Sequence, residues 1–304
     1  MKNTVNKLNN KIIVILGPTA SGKSSVAIKL AKKFNGEILS ADSRQIYRCM
    51  DIGSGKITKT EQKIVPHYML DIVSPNTKYN VAKFKKQALR HIKDILSREK
   101  IPIICGGTGF WIKAIVDDID FPQVKPDQEL RNKLCKKSDK ELFKNLKELD
   151  AKRAKNIDTK NKVRLIRAIE ICKTLGKVPA KKNIINKRYN FLQIGIKQPK
   201  EKLHQRIKLN VKKRFNKGMV KEVKNLHRKG VSRKRLQSFG LSYALVPEFI
   251  NGVVKSKEEL LEKIYLAEKN YAKRQMTWFN KDKRIKWLKN YKEIEKETKK
   301  FLKI

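Results

Sequence analysis

This sequence is short of acid relative to base. Its 304 residues hold 29 Asp and Glu against 74 Lys and Arg, a formal net charge of +45. Such a field attracts polyanions, nucleic acid first and an anionic membrane surface second. Arginine is itself scarce, 16 against 58 lysines, and the basic residues run along the whole chain. Charge alone therefore marks no single surface. Cysteine is sparse as well: Cys49, Cys105, Cys135 and Cys172 stand far apart and form no Cys-x-x-Cys pair. That spacing excludes a zinc site and a disulfide framework, and fits a reducing compartment. No apolar run approaches a membrane-spanning length, and Met1 to Lys11 is polar, without the apolar core of a signal peptide. These absences predict a soluble cytoplasmic protein with no membrane partner, long enough for one or two domains.

What is present begins at Ile12. Ile12 to Leu16 is a continuous apolar run, the pattern of a strand buried on both faces of a parallel sheet. Gly17-Pro18-Thr19-Ala20-Ser21-Gly22-Lys23-Ser24 then fits the P-loop spacing, and Ser25 to Phe34 reads as a helix. Loop amides and the positive end of the helix would converge on one anion. Lys23 adds a full charge, and Ser24 can hold a Mg²⁺ ion between phosphate oxygens. A diphosphate or longer is the expected ligand.

Further strands are predicted at 36–42, briefly near Tyr68 to Val73, at Ile101 to Cys105 and at Asn190 to Ile196, with a helix over Val81 to Lys100. After Asn190 to Ile196 the pattern is helices and turns to the end. Residues 50–80 otherwise read as loop. Pro122 and Pro126 mark a boundary, beyond which Asp127 to Thr174 is helical, charged and lysine-rich, ended by Gly176 as a C-cap. A basic linker follows at 178–190. The fold class is α/β: a P-loop nucleotide-fold core with a parallel sheet over 11–120 and 190–304, and a helical insertion domain over 121–189.

Ligands of open α/β sheets gather at the carboxyl ends of strands. Asp42-Ser43-Arg44-Gln45-Ile46-Tyr47 follows one such end. Asp42 is a Mg²⁺ helper, a general base or a turn residue, and the residues alone leave the three open. No acid follows Ile101 to Cys105, where a P-loop NTPase usually carries a metal-holding Asp. Gly106-Gly107-Thr108-Gly109 stands there instead, either letting a backbone approach a ligand or making a plain strand-to-helix turn. Trp111 and Phe110 could stack a base or belong to the core. Arg164 and Arg167 lie one turn apart on one helical face, apt for phosphate or for solvent. Arg214 and Arg274 are similar cases.

Taken together these motifs resemble the tRNA dimethylallyltransferase (tRNA isopentenyltransferase) family of the bacterial type. The resemblance adds Met50-Asp51-Ile52-Gly53, Pro66-His67-Tyr68, the stretch Arg164 to Glu170 and Ala272 to Phe279, and it covers residues 12–288. It implies transfer of a dimethylallyl group from dimethylallyl diphosphate to the exocyclic N6 amine of the adenosine 3′ of the anticodon, with Mg²⁺ required. It implies that Gly17 to Ser24 bind the donor diphosphate, with Lys23 and Arg214 neutralising it, and that Asp42 accepts the amine proton. Ser43, Arg44, Gln45 and Thr108 would position the flipped adenine. Arg131, Asn161, Lys162, Val163, Arg164 and Leu165 fall where the family touches tRNA. A monomer is expected. The chain departs from the family at Asn161-Lys162, where an Asp-Pro or Asn-Pro pair is usual, and at Gly240-Leu241-Ser242-Tyr243, which lacks the usual basic residue. A nucleotide kinase would share the loop and sheet but leave the basic insertion and the Asp42 cluster without purpose.

Overall fold

A computed structural model describes residues 10–180, 186 and 188–304. The polar N-terminus and part of the basic linker lie outside the described residues. Six strands, β1 (Lys11–Leu16), β2 (Gly36–Ser40), β3 (His67–Tyr68), β4 (Ile101–Gly106), β5 (Asn190–Ile196) and β6 (Lys286–Leu288), form one sheet. Its order is β3-β2-β4-β1-β5-β6 and every pairing is parallel. β1 lies centrally, with Ile13 opposite Ile103 on one side and Leu192 on the other. Its side chains alternate between two layers: Ile12, Val14 and Leu16 enter one, Ile13 and Ile15 the other. A strand that feeds both layers must be apolar throughout, which is why alternation is invisible in its sequence.

Helices cover both faces. Before the insertion these are α1 (Lys23–Lys33), α2 (Lys59–Ile64), α3 (Val81–Ser97) and α4 (Gly109–Val116). Within it lie α5 (Gln128–Cys135), α6 (Asp139–Leu149), α7 (Ala151–Ala154) and α8 (Lys162–Leu175). Afterwards come α9 (Lys200–Asn216), α10 (Met219–Arg228), α11 (Arg233–Phe239), α12 (Ser242–Ile250), α13 (Lys257–Phe279) and α14 (Tyr291–Leu302). Residues of α1 and α14 pack on the Ile13 face; α3, α4 and α9 to α13 supply the other layer. α3 shows the local logic. Asn80 caps it by accepting from the Lys83 amide, and Phe84, Ala88, Ile92 and Ile95 recur at helical spacing on its buried side.

The described residues form two compact units, one of 10–118 with 186–304 and one of 119–180. The second has its own core of Leu134, Leu142, Leu146, Leu165, Ile166 and Ile169. Three elements differ from expectation. α2 occupies part of the stretch read as loop, started by a capping box of Thr58 and Glu61. β6 adds a strand at the sheet edge near the chain's end, its Trp287 lying against the bare Cα of Gly195. The strand expected over 68–73 is only His67–Tyr68, with Val73 making a lone bridge to Tyr47.

Glu37, the second residue of β2, is 1% exposed. Arg98 grips it with two hydrogen bonds of 2.7 Å, and Lys100 and Tyr68 complete its shell. The Arg98 guanidinium holds the carboxyl down at about 2, against the burial that would raise it. The folded value lies below the unfolded one, so this stabilisation is full above about pH 4.5 and lost as pH falls toward 2. Glu37→Gln should cost about 2 kcal/mol in urea unfolding at pH 7, allowing for partly exposed partners. The gap between variant and parent should close on acidification; a gap independent of pH would contradict the assignment.

Candidate active site

The carboxyl ends of β1, β2 and β4 bring the sequence's polar clusters together. Gly17 (φ +152) and Gly22 (φ +91) adopt conformations that side chains disfavour, and Gly22 caps α1. The loop between them turns back on itself, the Ser21 amide donating to Pro18 O at 3.3 Å. Lys23 Nζ, inside the loop, donates to Pro18 O at 3.0 Å. Burial pushes its ammonium down, and the Cys105 thiol and the Asp42 carboxylate oppose that shift. Ser24 meets Cys105, whose thiol burial lifts to about 11. Ser21 Oγ is buried with no hydrogen-bond partner among the described residues.

Asp42 begins a tight turn. Its Oδ1 accepts from the Arg44 amide at 2.9 Å and the Gln45 amide at 3.4 Å, leaving Oδ2 outside the turn. Thr108 Oγ accepts from the Ser43 amide at 3.1 Å and so ties the β2 and β4 loops together. Arg44 donates through Nε to Phe239 O at 2.7 Å and lies 5.3 Å over the Tyr271 ring. Gln45 bonds Ser40 and the carbonyl of Gly55.

α13 supplies contacts that sequence reasoning did not assign, Gln275 among them although it lies in the Ala272 to Phe279 motif. Gln275 Oε1 accepts from the Thr19 amide at 2.8 Å, while Nε2 donates to Gly107 O at 2.8 Å. One buried side chain thus joins the P-loop to the glycine turn. Tyr271, one turn earlier, is raised in pKa chiefly by burial and then by the Asp42 charge, and its hydroxyl meets Arg44 and Thr108. Glu268, another turn back, pairs with Arg214. The positions 268, 271 and 275 follow helical spacing, the one signal that could have grouped them.

The glycines of the turn serve this packing. A Cβ at Gly107 would collide with Gln275, at Gly109 with Trp278, and at Gly106 with the backbone of Ala41. The turn is tight because the protein's own parts fill it. Trp111 is core, stacked on Phe84, whereas Phe110 stays exposed.

Arg214 is engaged elsewhere. Its Nη1 donates to Gly53 O at 3.0 Å and Nη2 pairs with Glu268, 3% exposed. Ser242 donates to the same carbonyl at 3.0 Å. Glu222 takes the amides of Asp51, Ile52 and Gly53 and the hydroxyl of Tyr243. The Met50 to Gly53 motif and the divergent Gly240 to Tyr243 stretch are therefore two sides of one contact.

The helical unit sorts its expected interface residues. Leu165 is fully buried in that unit's core, so its side chain offers a partner nothing. Arg131 binds Glu170 bidentately at 2.9 and 2.8 Å, and Arg167 pairs with the same carboxylate and with Val124 O. Burial would raise Glu170, but Arg131, Arg167 and the Asp127 amide hold it below its ordinary value. Asn161 caps α8 through the Arg164 amide, and Lys162 reaches Cys135 O at 3.3 Å. Val163, 78% exposed, and Arg164, with only Asp158 at 3.9 Å, face solvent.

An anion-binding loop with a carboxylate beside its lysine can hold a phosphorylated substrate and move a proton next to it. The family model described as IPP transferase matches residues 45–282. A tRNA dimethylallyltransferase of Acetivibrio thermocellus is 41% identical over 92% of this chain and 91% of its own. One from Carboxydothermus hydrogenoformans is 39% identical over 97% of both. A crystal structure of the tRNA isopentenylpyrophosphate transferase of Bacillus halodurans aligns with a TM-score of 0.73 at 31% identity, covering 97% of each chain. A eukaryotic dimethylallyltransferase captured acting on tRNA aligns at 0.77 and 26% identity, over 89% of this chain and 70% of its own. The chain belongs to the IPP transferase family.

Gln275→Ala strands the Thr19 amide and the Gly107 carbonyl, and should cost about 2 kcal/mol in urea unfolding. Gly107→Ala, which displaces the same amide, should cost a similar amount. Losses under about 0.5 kcal/mol in both would show that the P-loop keeps its shape without α13.

Proposed function

We propose that this chain transfers a dimethylallyl group from dimethylallyl diphosphate to the exocyclic N6 amine of the adenosine 3′-adjacent to the anticodon of tRNA, releasing diphosphate. The observation that carries the reading is the chain of contacts from the Asp42 turn through Ser43 and Thr108 to the β4 turn, which Gln275 in turn joins to the P-loop at Thr19. Proton acceptor and diphosphate cradle then belong to one site. The N6 nitrogen bonds to the allylic carbon as the carbon–oxygen bond to the diphosphate breaks, and the leaving group keeps that electron pair. The amides at the start of α1, from Gly22 to Ser24, and the Lys23 ammonium stabilise the charge it gains. The unpaired Ser21 hydroxyl supports the same reading, since a phosphate oxygen would satisfy it. Asp42 takes the amine proton on Oδ2, with Oδ1 held by the turn. Ser43, Thr108 and the Arg44–Tyr271 pair position the adenine, which must leave its stack to enter.

A Mg²⁺ ion fits the residues present. Among the described residues no cluster of three His, Cys, Asp or Glu exists. Ser24 would hold the ion with substrate oxygens and water, the habit of a small hard cation. It would neutralise charge on the diphosphate. The helical unit would hold the anticodon stem and loop, chiefly through the exposed start of α8 at Val163 and Arg164, with the net positive charge drawing the polyanion in. We assign the protein to the cytoplasm as a monomer; no helix among the described residues is long and apolar enough to cross a membrane.

Asp42→Asn should lower the single-turnover rate of prenyl transfer about 10²- to 10⁴-fold while leaving the affinity for inorganic diphosphate near that of the parent. Equal losses in both would make Asp42 a binding residue, and an unchanged rate would remove it from the reaction.

A further inference from the structure

α9 carries two arginines one above the other, Arg206 and Arg214, and the structure treats them differently. Arg214 is matched by Glu268 and the carbonyl of Gly53. Arg206, two turns earlier and about 12 Å away along the axis, lies against the P-loop. A Cβ built on Gly22 would stand 3.2 Å from its Nη2, 3.6 Å from Nη1 and 3.8 Å from Cζ. The guanidinium therefore covers the bare Cα at the point where α1 begins.

That position is electrostatically costly on its own. A helix N-terminus carries partial positive charge and repels a cation. Lys23, buried within the loop, adds a second cation nearby. Among the described residues no carboxylate, carbonyl or hydroxyl bonds Arg206, although it is only half exposed. Its donors, the amides at the start of α1 and the Lys23 ammonium meet at the mouth of the loop, where a multiply charged anion would balance them.

We propose that Arg206 is the guanidinium that binds the donor diphosphate at the mouth of the P-loop, and that Arg214 is a positioning residue. Arg214 fixes α9 against α13 and the Gly53 loop, and so sets where Arg206 stands. This rests on the reading of the P-loop as a diphosphate site. The planar fork matters, because two parallel N–H groups match two phosphate oxygens where an ammonium offers one point of charge.

The test is isothermal titration of inorganic diphosphate, with Mg²⁺, into the full-length parent, Arg206→Gln, Arg206→Lys and Lys208→Gln. Lys208 is exposed on the same helix and reports loss of one charge without loss of the contact. Arg206→Gln should weaken binding about thirtyfold, Arg206→Lys should recover only part of that, and Lys208→Gln should stay within about twofold. Circular dichroism melts run on each variant separate lost contact from lost fold, and Arg206→Lys carries the test if the glutamine variant unfolds. Parent-like affinity in Arg206→Gln, or full recovery in Arg206→Lys, would overturn the proposal. Prenyl transfer measured in parallel separates the two readings. Arg206-dependent diphosphate binding without prenyl transfer by the parent would fail the proposed function alone. Prenyl transfer by the parent with Arg206-independent binding would fail this inference alone.

Discussion

The site depends on one buried amide. Gln275 accepts from the P-loop at Thr19 and donates to the glycine turn at Gly107, and both bonds are 2.8 Å. The P-loop has its shape from glycine conformations, but its place relative to the β4 turn comes from α13. The same helix brings Tyr271 over to Arg44 and Thr108, and Glu268 to Arg214. Phosphate cradle, carboxylate turn and the arginine-bearing helix α9 are thereby held to a common frame. Small residues at positions 106, 107 and 109 are the consequence, since any larger one would occupy the space that α13 and β2 fill.

A chain so short of acid uses its carboxylates sparingly. Glu37 braces the sheet, Glu170 gathers two arginines within the helical unit, Glu222 holds three amides of the 51–53 loop, and Glu268 neutralises Arg214. Each is satisfied by charged or amide donors, as the buried three, Glu37, Glu170 and Glu268, must be. Asp42 is different: its turn uses only one of its two oxygens. The same contrast divides the cations. Arg131, Arg167 and Arg214 are each paired with a buried carboxylate, while Arg206, against the P-loop, has no such partner among the described residues.

What could be read from the sequence follows from range. The P-loop was legible because its geometry is written in local glycine spacing, and β1, β4 and β5 because buried parallel strands are short apolar runs. The family resemblance rested on the same local motifs and extended to the whole chain. Gln275 lies 256 residues from Thr19, and no local pattern announces such a partner. Arg206 and Tyr271 were hidden for the same reason. Leu165 was expected at an interface because the family resemblance takes in Asn161 to Leu165, yet its spacing with Ile166 and Ile169 places its side chain in the core. β6 is three residues, Lys-Trp-Leu, too short for a period, and owes its existence to the edge of β5. α2 was within reach: the Thr58-x-x-Glu61 capping box is a local signal.

The most direct test of the central claim is to incubate the protein with Mg²⁺, radiolabelled dimethylallyl diphosphate and an anticodon stem-loop bearing adenosine 3′ of the anticodon, with AMP present as competitor. Nucleoside analysis should find the label on N6 of that one adenosine. Label in AMP alone, or ATP hydrolysis with no transfer to either acceptor, would contradict the account.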